Sequence, residues 1–160
     1  MNNAIRVLED IIGDPRFAEG AGWRRHHVQA NEPIVREGEE GRSLYFIEDG
    51  RLRVTSRVEL DEVRRVEHEI CELEPGDIFG EICLYRMQKR SATVTAITEG
   101  SLLEIDGERL SIYLDENPVQ GYLFLKEMFN TLIDRLARTN QRVENLFAWG
   151  LEAHGIQDYL

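Results

Sequence analysis

The stretch FGEICLYRMQKRSATV, residues 79–94, decides the fold of the chain. Within it, Gly80 and Glu81 precede the pair Arg90 and Ser91, and nine positions separate Glu81 from Arg90. This spacing can build a pocket for one cyclic phosphodiester. Because a buried phosphate carries a negative charge, such a pocket must supply hydrogen-bond donors and a compensating cation.

Each residue type in this stretch has a physical reason. Arg90 supplies a cation and a planar fork of donors, and Ser91 adds a hydroxyl donor beside it. Gly80 lets the backbone approach the phosphate, and a short helix over residues 81–84 would point its free amides at the anion. A carboxylate near a phosphate is repulsive unless it has another task, and Glu81 can accept a hydrogen bond from a ribose 2′-hydroxyl.

A second interpretation is a loop at a sheet edge in which Glu81 and Arg90 form a surface ion pair, worth about 0–1 kcal/mol. The whole stretch favours the pocket, because residues 79–81, the gap, residues 90–92 and Val94 fit one template. That template is the phosphate-binding cassette of the cyclic nucleotide-binding domain family, which the stretch resembles. Residues 32–50 are similar to the first half of that family's β-roll.

Glycine turns between short apolar runs indicate many closely spaced strands. Residues 43–47 and 52–55 flank Asp49-Gly50, which predicts a tight hairpin, and further turns are expected at residues 37–41, 60–62 and 74–77. This pattern is typical of a β-sandwich or β-roll.

The resemblance covers about residues 28–146 and implies an α+β fold in one domain, residues 1–160. It implies a double-stranded β-helix, or jelly-roll-like β-roll, over residues 25–106, with a short cassette helix within residues 79–94. An N-terminal helical segment over residues 1–24 and C-terminal helices over residues 107–160 complete the expected fold.

The C-terminal part predicts helices. Asp106 or Gly107 can cap a short helix through Tyr113, and Asn117-Pro118 marks the start of a long helix that ends near Trp149. Apolar residues spaced by three and four form a heptad seam with one polar member: Tyr122, Leu125, Phe129, Leu132, Leu136, Thr139, Val143 and Leu146. Up to Leu132 this stripe can equally pack on the chain's own β-roll, whereas from Leu136 onward a second helix in a parallel homodimer is the better partner.

The polar member of the seam, Thr139, either sets the register or contacts a ligand. Residues 135–146 resemble the dimer helix of the family's bacterial transcription factors, whose hydroxyls meet the adenine from both subunits. The resemblance implies that Thr139 is one such hydroxyl, while Asn140 replaces a serine of the family pattern. The complete set of expected ligand-binding residues is Gly80, Glu81, Ile82, Cys83, Arg90, Ser91, Thr139 and Asn140, with Cys83 standing where the family typically has alanine.

Composition limits the possible partners. The formal net charge of −11 removes the general positive field that nucleic-acid binding uses, so we expect no nucleic acid partner. Cys71 and Cys83 lack the spacing of a disulfide framework or a metal site, and residues 1–160 contain no long apolar run, so we expect neither a membrane span nor a leader segment. We therefore expect a cytoplasmic protein that neither enters a membrane nor binds a metal.

Together these features predict a regulatory module that is not an enzyme. We expect it to bind cyclic AMP, with cyclic GMP possible, to form a homodimer and to signal to an unknown protein partner by moving its C-terminal helix. One alternative is a degenerate β-roll dimer with a structural role and no nucleotide. A remote alternative, a cupin-type metalloenzyme, requires clustered ligands, and the four histidines show no such spacing: His26, His27, His68 and His154.

Overall fold

Short antiparallel strands and three α-helices make up the computed structural model. It describes residues 3–59, 65–84 and 87–153, apart from the side chains of residues 3–5 and of Cys83. The helices are α1 (Asn3–Ile12), α2 (Gly107–Glu116) and α3 (Pro118–Ala153), and 3₁₀ turns cover Pro15–Phe17 and Glu81–Cys83. The strands are β1 (Trp23–Val28), β2 (Pro33–Val35), β3 (Glu40–Gly41), β4 (Ser43–Asp49), β5 (Leu52–Glu59), β6 (Arg65–Leu73), β7 (Ile78–Phe79), β8 (Gln88–Lys89), β9 (Thr93–Ala96) and β10 (Gly100–Asp106).

Two four-stranded sheets face each other and form the predicted β-roll. The first has the strand order β1-β10-β4-β7, and the second has the order β2-β9-β5-β6. A separate pair, β3 and β8, brings Gly41 opposite Gln88 at the start of the cassette's second half. The α+β fold with a roll and flanking helices is therefore confirmed.

Each face of the first sheet buries its own apolar cluster. Between the sheets, side chains such as Ile47, Leu102 and Leu52 are nearly inaccessible to solvent. On the other face, Leu44 and Ile105 pack with residues of all three helices. This alternation is the period of two of a β-strand, and it fixes which side chains of β4 and β10 point toward the roll interior.

The predicted hairpin at Asp49-Gly50 is wrong. Gly50 does make a turn with a positive φ of 92°, but β4 belongs to the first sheet and β5 to the second. The turn carries the chain from one sheet to the other, because β5 finds its partners in β6 and β9. A glycine turn specifies a local reversal, while the sheet that a strand joins depends on distant residues. The turn expected at residues 60–62 lies outside the described residues.

The helix boundaries agree with the sequence signals. The Asp106 side chain accepts a hydrogen bond from the Arg109 amide at 2.9 Å, and α2 continues three residues beyond the expected Tyr113. α3 begins at Pro118 as predicted and continues past Trp149 to Ala153. β1 begins at Trp23, two residues before the expected start of the roll at residue 25.

α3 packs on the rest of the chain through residues that do not belong to the predicted heptad seam. Its buried residues are Gly121, Phe124 and Met128, whereas Tyr122 and Phe129 are about two-thirds exposed, at 65% and 64%. The interpretation that the seam from Tyr122 to Leu132 packs on the roll is therefore wrong. All eight residues of the predicted seam are exposed. No helix in the described part of the chain is long and apolar enough to cross a membrane.

Candidate functional site

A cavity of about 310 Å³ lies between the second half of the roll and the middle of α3. The cassette contributes residues 79–82 and 88–92 to its wall, strands β5 and β6 contribute Val54 and residues 70–73, and α3 closes one side. Its lining carries five cations and three carboxylates: Lys89, Arg90, Arg135, Arg138 and Arg142 against Glu72, Asp77 and Glu81. In a chain with a net charge of −11, this is a local basic site.

Arg90 is the buried cation of this cavity, with 8% of its surface exposed. Its Nη2 donates a hydrogen bond to the Ser43 carbonyl at 3.0 Å, and its Cζ lies 5.7 Å from the centre of the Tyr45 ring. Two glycines make room for it. A Cβ on Gly41 would lie 2.7 Å from Arg90 Nε, and one on Gly80 would lie 2.8 Å from Nη1. The guanidinium therefore occupies a slot between β3 and the cassette that side chains would close.

Gly80 has a second task in the backbone. Its φ of 78° lies in the left-handed region, which glycine adopts without steric cost. It forms the N-cap of the 3₁₀ turn Glu81–Cys83, the short helix expected at this place. Amides at the start of such a turn have no acceptor within it, and Gly80, Glu81 and Ile82 line the cavity.

Glu81 connects the cassette to α3. Its Oε1 accepts a hydrogen bond from Arg135 Nη1 at 3.0 Å, and its side chain is only 14% exposed. The other terminal nitrogen of Arg135 donates to the Ile78 carbonyl. The same arginine thus holds a carboxylate and a carbonyl of the roll, which ties the helix to the cavity wall.

Further cationic side chains of α3 follow along the cavity. Arg142 donates to the Ile70 carbonyl on β6, and Arg138 lines the cavity between Arg135 and Arg142. The Thr139 hydroxyl donates to the Arg135 carbonyl at 2.9 Å, which leaves its oxygen lone pairs facing outward from the helix. All four residues lie on one side of α3, since Arg138, Thr139 and Arg142 follow Arg135 by three, four and seven positions.

Six of the eight residues expected to bind ligand line this cavity: Gly80, Glu81, Ile82, Arg90, Ser91 and Thr139. Cys83 belongs to the 3₁₀ turn, and its side chain lies outside the described part of the structure. Asn140 is exposed and is not part of the cavity wall of its own chain. The cassette and the helix, separated by more than forty residues in sequence, are thus brought to one place.

Sequence reasoning missed several residues of the site. Arg135, Arg138 and Arg142 repeat at intervals of three and four, a helical spacing that could have been read together with Thr139. Gly41 and Tyr45 carried no such signal, because their contact with Arg90 depends on how β3 and β4 pack against the cassette. Lys89 is exposed and also lines the cavity.

Cys71 lies partly buried in the cavity wall as a free thiol. Burial raises the pKa of this thiol, and the nearby charges of Arg135 and Arg142 oppose that shift. Among the described residues, no group of three or more His, Cys, Asp or Glu side chains is placed to hold a metal ion.

Comparison with known protein families gives a match that includes the cassette. The family model described as "cyclic nucleotide-binding domain" matches residues 25–117, more than half of the chain. The chain belongs to the cyclic nucleotide-binding domain family. The matched segment includes the whole cassette and the glycine slot around Arg90. The three arginines of α3 that line the cavity lie beyond it.

Relatives of known function carry this domain in larger proteins. The chain is 37% identical over 107 residues to the cAMP-dependent protein kinase regulatory subunit of Dictyostelium discoideum, covering 67% of the chain and 32% of that relative. It is 33% identical over 132 residues to the human potassium/sodium hyperpolarization-activated cyclic nucleotide-gated channel 3, covering 81% of the chain and 15% of the channel. The chain thus spans a third or less of these relatives. The names of both relatives include a cyclic nucleotide.

Solved structures show the same fold. The catabolite activator protein of Thermus thermophilus aligns with a TM-score of 0.64 at 26% identity, covering 78% of this chain and 55% of that one. A cyclic nucleotide-binding domain from Methylobacillus flagellatus aligns with a TM-score of 0.71 at 19% identity, covering 91% and 73%. The second likeness concerns the fold alone.

Proposed function

We propose that this cyclic nucleotide-binding domain is a sensor of cyclic AMP that performs no catalysis itself. The observation that carries the proposal is Arg90, a nearly buried guanidinium held in a two-glycine slot at the wall of a cavity large enough for a ligand. A guanidinium in this position can donate charge-assisted hydrogen bonds to the negatively charged exocyclic oxygens of a cyclic phosphate.

The other cavity residues suit the rest of a cyclic nucleotide. Ser91 and the amides of the 3₁₀ turn supply donors for the exocyclic phosphate oxygens. Glu81 lies beside them, and its second oxygen can accept the ribose 2′-hydroxyl while the first holds Arg135. We assign phosphate contacts to Gly80, Ile82, Cys83, Arg90 and Ser91 through backbone or side chain, and the sugar contact to Glu81.

Cyclic AMP is the ligand we favour, with cyclic GMP as the competitor. Support comes from the kinase regulatory subunit above and from the regulatory domain of Toxoplasma gondii PKA, solved with cAMP, which aligns at 25% identity with a TM-score of 0.50 and covers 67% of this chain. Within the chain, Thr139 lines the cavity on the helix side, where a base would extend from the phosphate. Its hydroxyl can serve an adenine edge.

The signal would travel through α3. The helix is tied to the cavity wall by Arg135 and Arg142, so a ligand between helix and cassette changes the free energy of this docked position. A ligand shifts a pre-existing equilibrium only by the difference in its affinity for the two states. A protein partner in the cytoplasm then reads the helix position, and neither nucleic acid nor a membrane takes part.

The second part of the proposal is a homodimer through the exposed seam of α3. Leu136, Val143 and Leu146 are 62%, 60% and 66% exposed, and they repeat at coiled-coil spacing. Such a dimer would also bring Asn140 of one subunit toward the ligand of the other. Asn140 would then act in the pocket of the partner subunit and not in its own.

A thermal melt tests the ligand. Nucleotide-free protein is melted alone and with cyclic AMP, cyclic GMP or 5′-AMP, each near a hundredfold above the dissociation constant. A specific ligand adds about 2.7 kcal/mol, or roughly 5–11 °C for a chain of this size. We expect the largest shift with cyclic AMP. No shift with either cyclic nucleotide would contradict the sensor and favour a structural dimer.

Light scattering tests the dimer. Val143→Glu places a charge in the seam and should convert the dimer to a monomer at micromolar concentration. Ile112→Glu is the matched control, since Ile112 is an exposed apolar residue of α2 outside the seam. A wild-type chain that is monomeric at all concentrations would overturn this part of the proposal.

A further inference from the structure

We propose that Tyr45 and Glu104 are positioning residues that hold the Arg90 guanidinium in the orientation that the cyclic phosphate needs. The inference rests on the proposed function and concerns residues beyond the cassette. Tyr45 lies on β4 and Glu104 on β10, so both belong to the first sheet of the roll, behind the cavity wall.

The Tyr45 ring is the apolar neighbour of the guanidinium. Arg90 Cζ lies 5.7 Å from its centroid, within the range of a cation–π interaction. The ring is also stacked on Phe79, with 4.9 Å between centroids and 12° between planes. Because Tyr45 is only 9% exposed, it holds a fixed position behind Arg90.

Glu104 holds the polar end of Tyr45. The two residues are direct partners across β4 and β10, and Glu104 Oε1 accepts from the Ser43 hydroxyl at 2.7 Å and from the Tyr45 hydroxyl at 3.4 Å. The other oxygen, Oε2, lies 2.8 Å from His26 Nε2 on β1. The Glu104 carboxylate on β10 is thus held by side chains of β1 and β4. Ser43 contacts both Glu104 and Arg90, because its hydroxyl donates to the carboxylate and its carbonyl accepts from the guanidinium.

The electrostatics of this arrangement favour a neutral phenol. Burial, and after it the negative charge of Glu104, raises the pKa of Tyr45 to about 12, while the charge of Arg90 acts in the opposite direction. The ring therefore stays neutral at physiological pH. A neutral phenol offers a π face to the guanidinium and does not neutralise its charge.

The alternative is that Tyr45 fills space in the roll and affects binding only through stability. A double-mutant cycle separates the two. Cyclic AMP affinity is measured by calorimetry for Tyr45→Leu, Tyr45→Phe and Glu104→Gln, each in the wild-type and in the Arg90→Lys background. Glu48→Gln is the control, because Glu48 is a carboxylate on the same strand β4 that pairs with Arg25.

We expect Tyr45→Leu to weaken cyclic AMP binding roughly 3- to 30-fold in the wild-type background and less than twofold beside Arg90→Lys. Tyr45→Phe keeps the ring and should lose less than threefold, Glu104→Gln should lose about two- to fivefold, and Glu48→Gln should change nothing. If Tyr45→Leu does not fold, the same comparison of affinities in the two Arg90 backgrounds is made with Glu104→Gln and Tyr45→Phe.

Equal losses in the two Arg90 backgrounds, or no loss for any variant of Tyr45 and Glu104, would overturn the inference while wild-type binding of cyclic AMP leaves the sensor intact. Absence of binding by the wild-type chain would overturn the proposed function and this inference with it.

Discussion

The two ends of the cavity are built in opposite ways. At the cassette end, Arg90 is 8% exposed and enclosed by glycines, a carbonyl and an aromatic ring. At the helix end, Arg138 and Thr139 are exposed, and the Arg135 side chain is 32% exposed. The first end is held by packing between buried groups, whereas the second depends on a few hydrogen bonds and ion pairs of partly exposed side chains.

This difference indicates that the two ends of the cavity have different roles in ligand binding. A buried, preorganised group gives affinity because little conformational freedom is lost on binding. Exposed ion pairs and hydrogen bonds between a helix and its neighbours are individually weak, and contacts with a ligand can replace them. We therefore expect the cassette end to set affinity and the helix end to set response and base preference. The predictions below follow that order of expected effect.

The largest effect should come from Arg90→Ala. Removing the buried partner of a charge pair costs about 2–5 kcal/mol, which corresponds to a loss of cyclic AMP affinity of about 30- to several thousand-fold. Lys89→Ala is the matched control, because Lys89 lines the same cavity but is exposed. Calorimetry should show less than a threefold change for Lys89→Ala. Similar losses for both variants would remove the distinction between a buried and an exposed cation.

Gly41→Ala tests the slot without removing any charge. The added Cβ would lie within 2.8 Å of Arg90 Cζ, so the guanidinium must move. We expect about tenfold weaker binding of cyclic AMP by calorimetry. Gly150→Ala is the control, since a Cβ there meets nothing within 4 Å. Unchanged affinity of the Gly41 variant would show that the slot does not position Arg90.

Arg135→Gln tests the ion pair that joins α3 to Glu81 of the cassette. The variant loses a charged pair with Glu81 that is partly exposed, so we expect about three- to tenfold weaker cyclic AMP binding. Amide exchange in α3 of the ligand-free protein should also become faster. Arg42→Gln, which breaks a pair with Glu108 on the surface, should change neither quantity. A helix that exchanges at the wild-type rate would contradict this role of the ion pair.

The smallest effect is expected for Thr139→Val, which removes a hydroxyl at the helix end. Cyclic AMP should bind about two- to fivefold more weakly, with a smaller change for cyclic GMP. Thr131→Val provides a close control, because the Thr131 hydroxyl makes the same bond to the carbonyl four residues earlier and lies outside the cavity wall. Equal effects of the two variants in calorimetry would exclude a role of Thr139 in choosing the base.

The cassette end was the more predictable of the two from sequence. Gly80, Glu81 and Arg90 lie within one short segment, so their spacing alone brings them together. The fold class followed from the glycine turns and from the family resemblance. The helix boundaries followed from local caps at Asp106 and Pro118.

The remainder depended on contacts between distant segments. The Asp49-Gly50 turn marks a chain reversal but carries no information on whether β4 and β5 pair. The face of α3 that packs inward is set by Gly121, whose Cβ would lie 2.7 Å from the Leu114 carbonyl, and the heptad pattern conceals this stripe. Gly41 and Tyr45 could be recognised only after Arg90 had been placed.

The most direct test of the account is amide hydrogen exchange of the ligand-free and cyclic AMP-saturated protein, for the wild type and for Arg90→Ala. We predict that cyclic AMP slows exchange of the wild type at residues 79–82 and at residues 135–142 together, with the larger change in the helix. Arg90→Ala should show neither effect at the same concentration. Protection confined to one of the two segments, or equal protection in Arg90→Ala, would contradict a single site built by the cassette and α3.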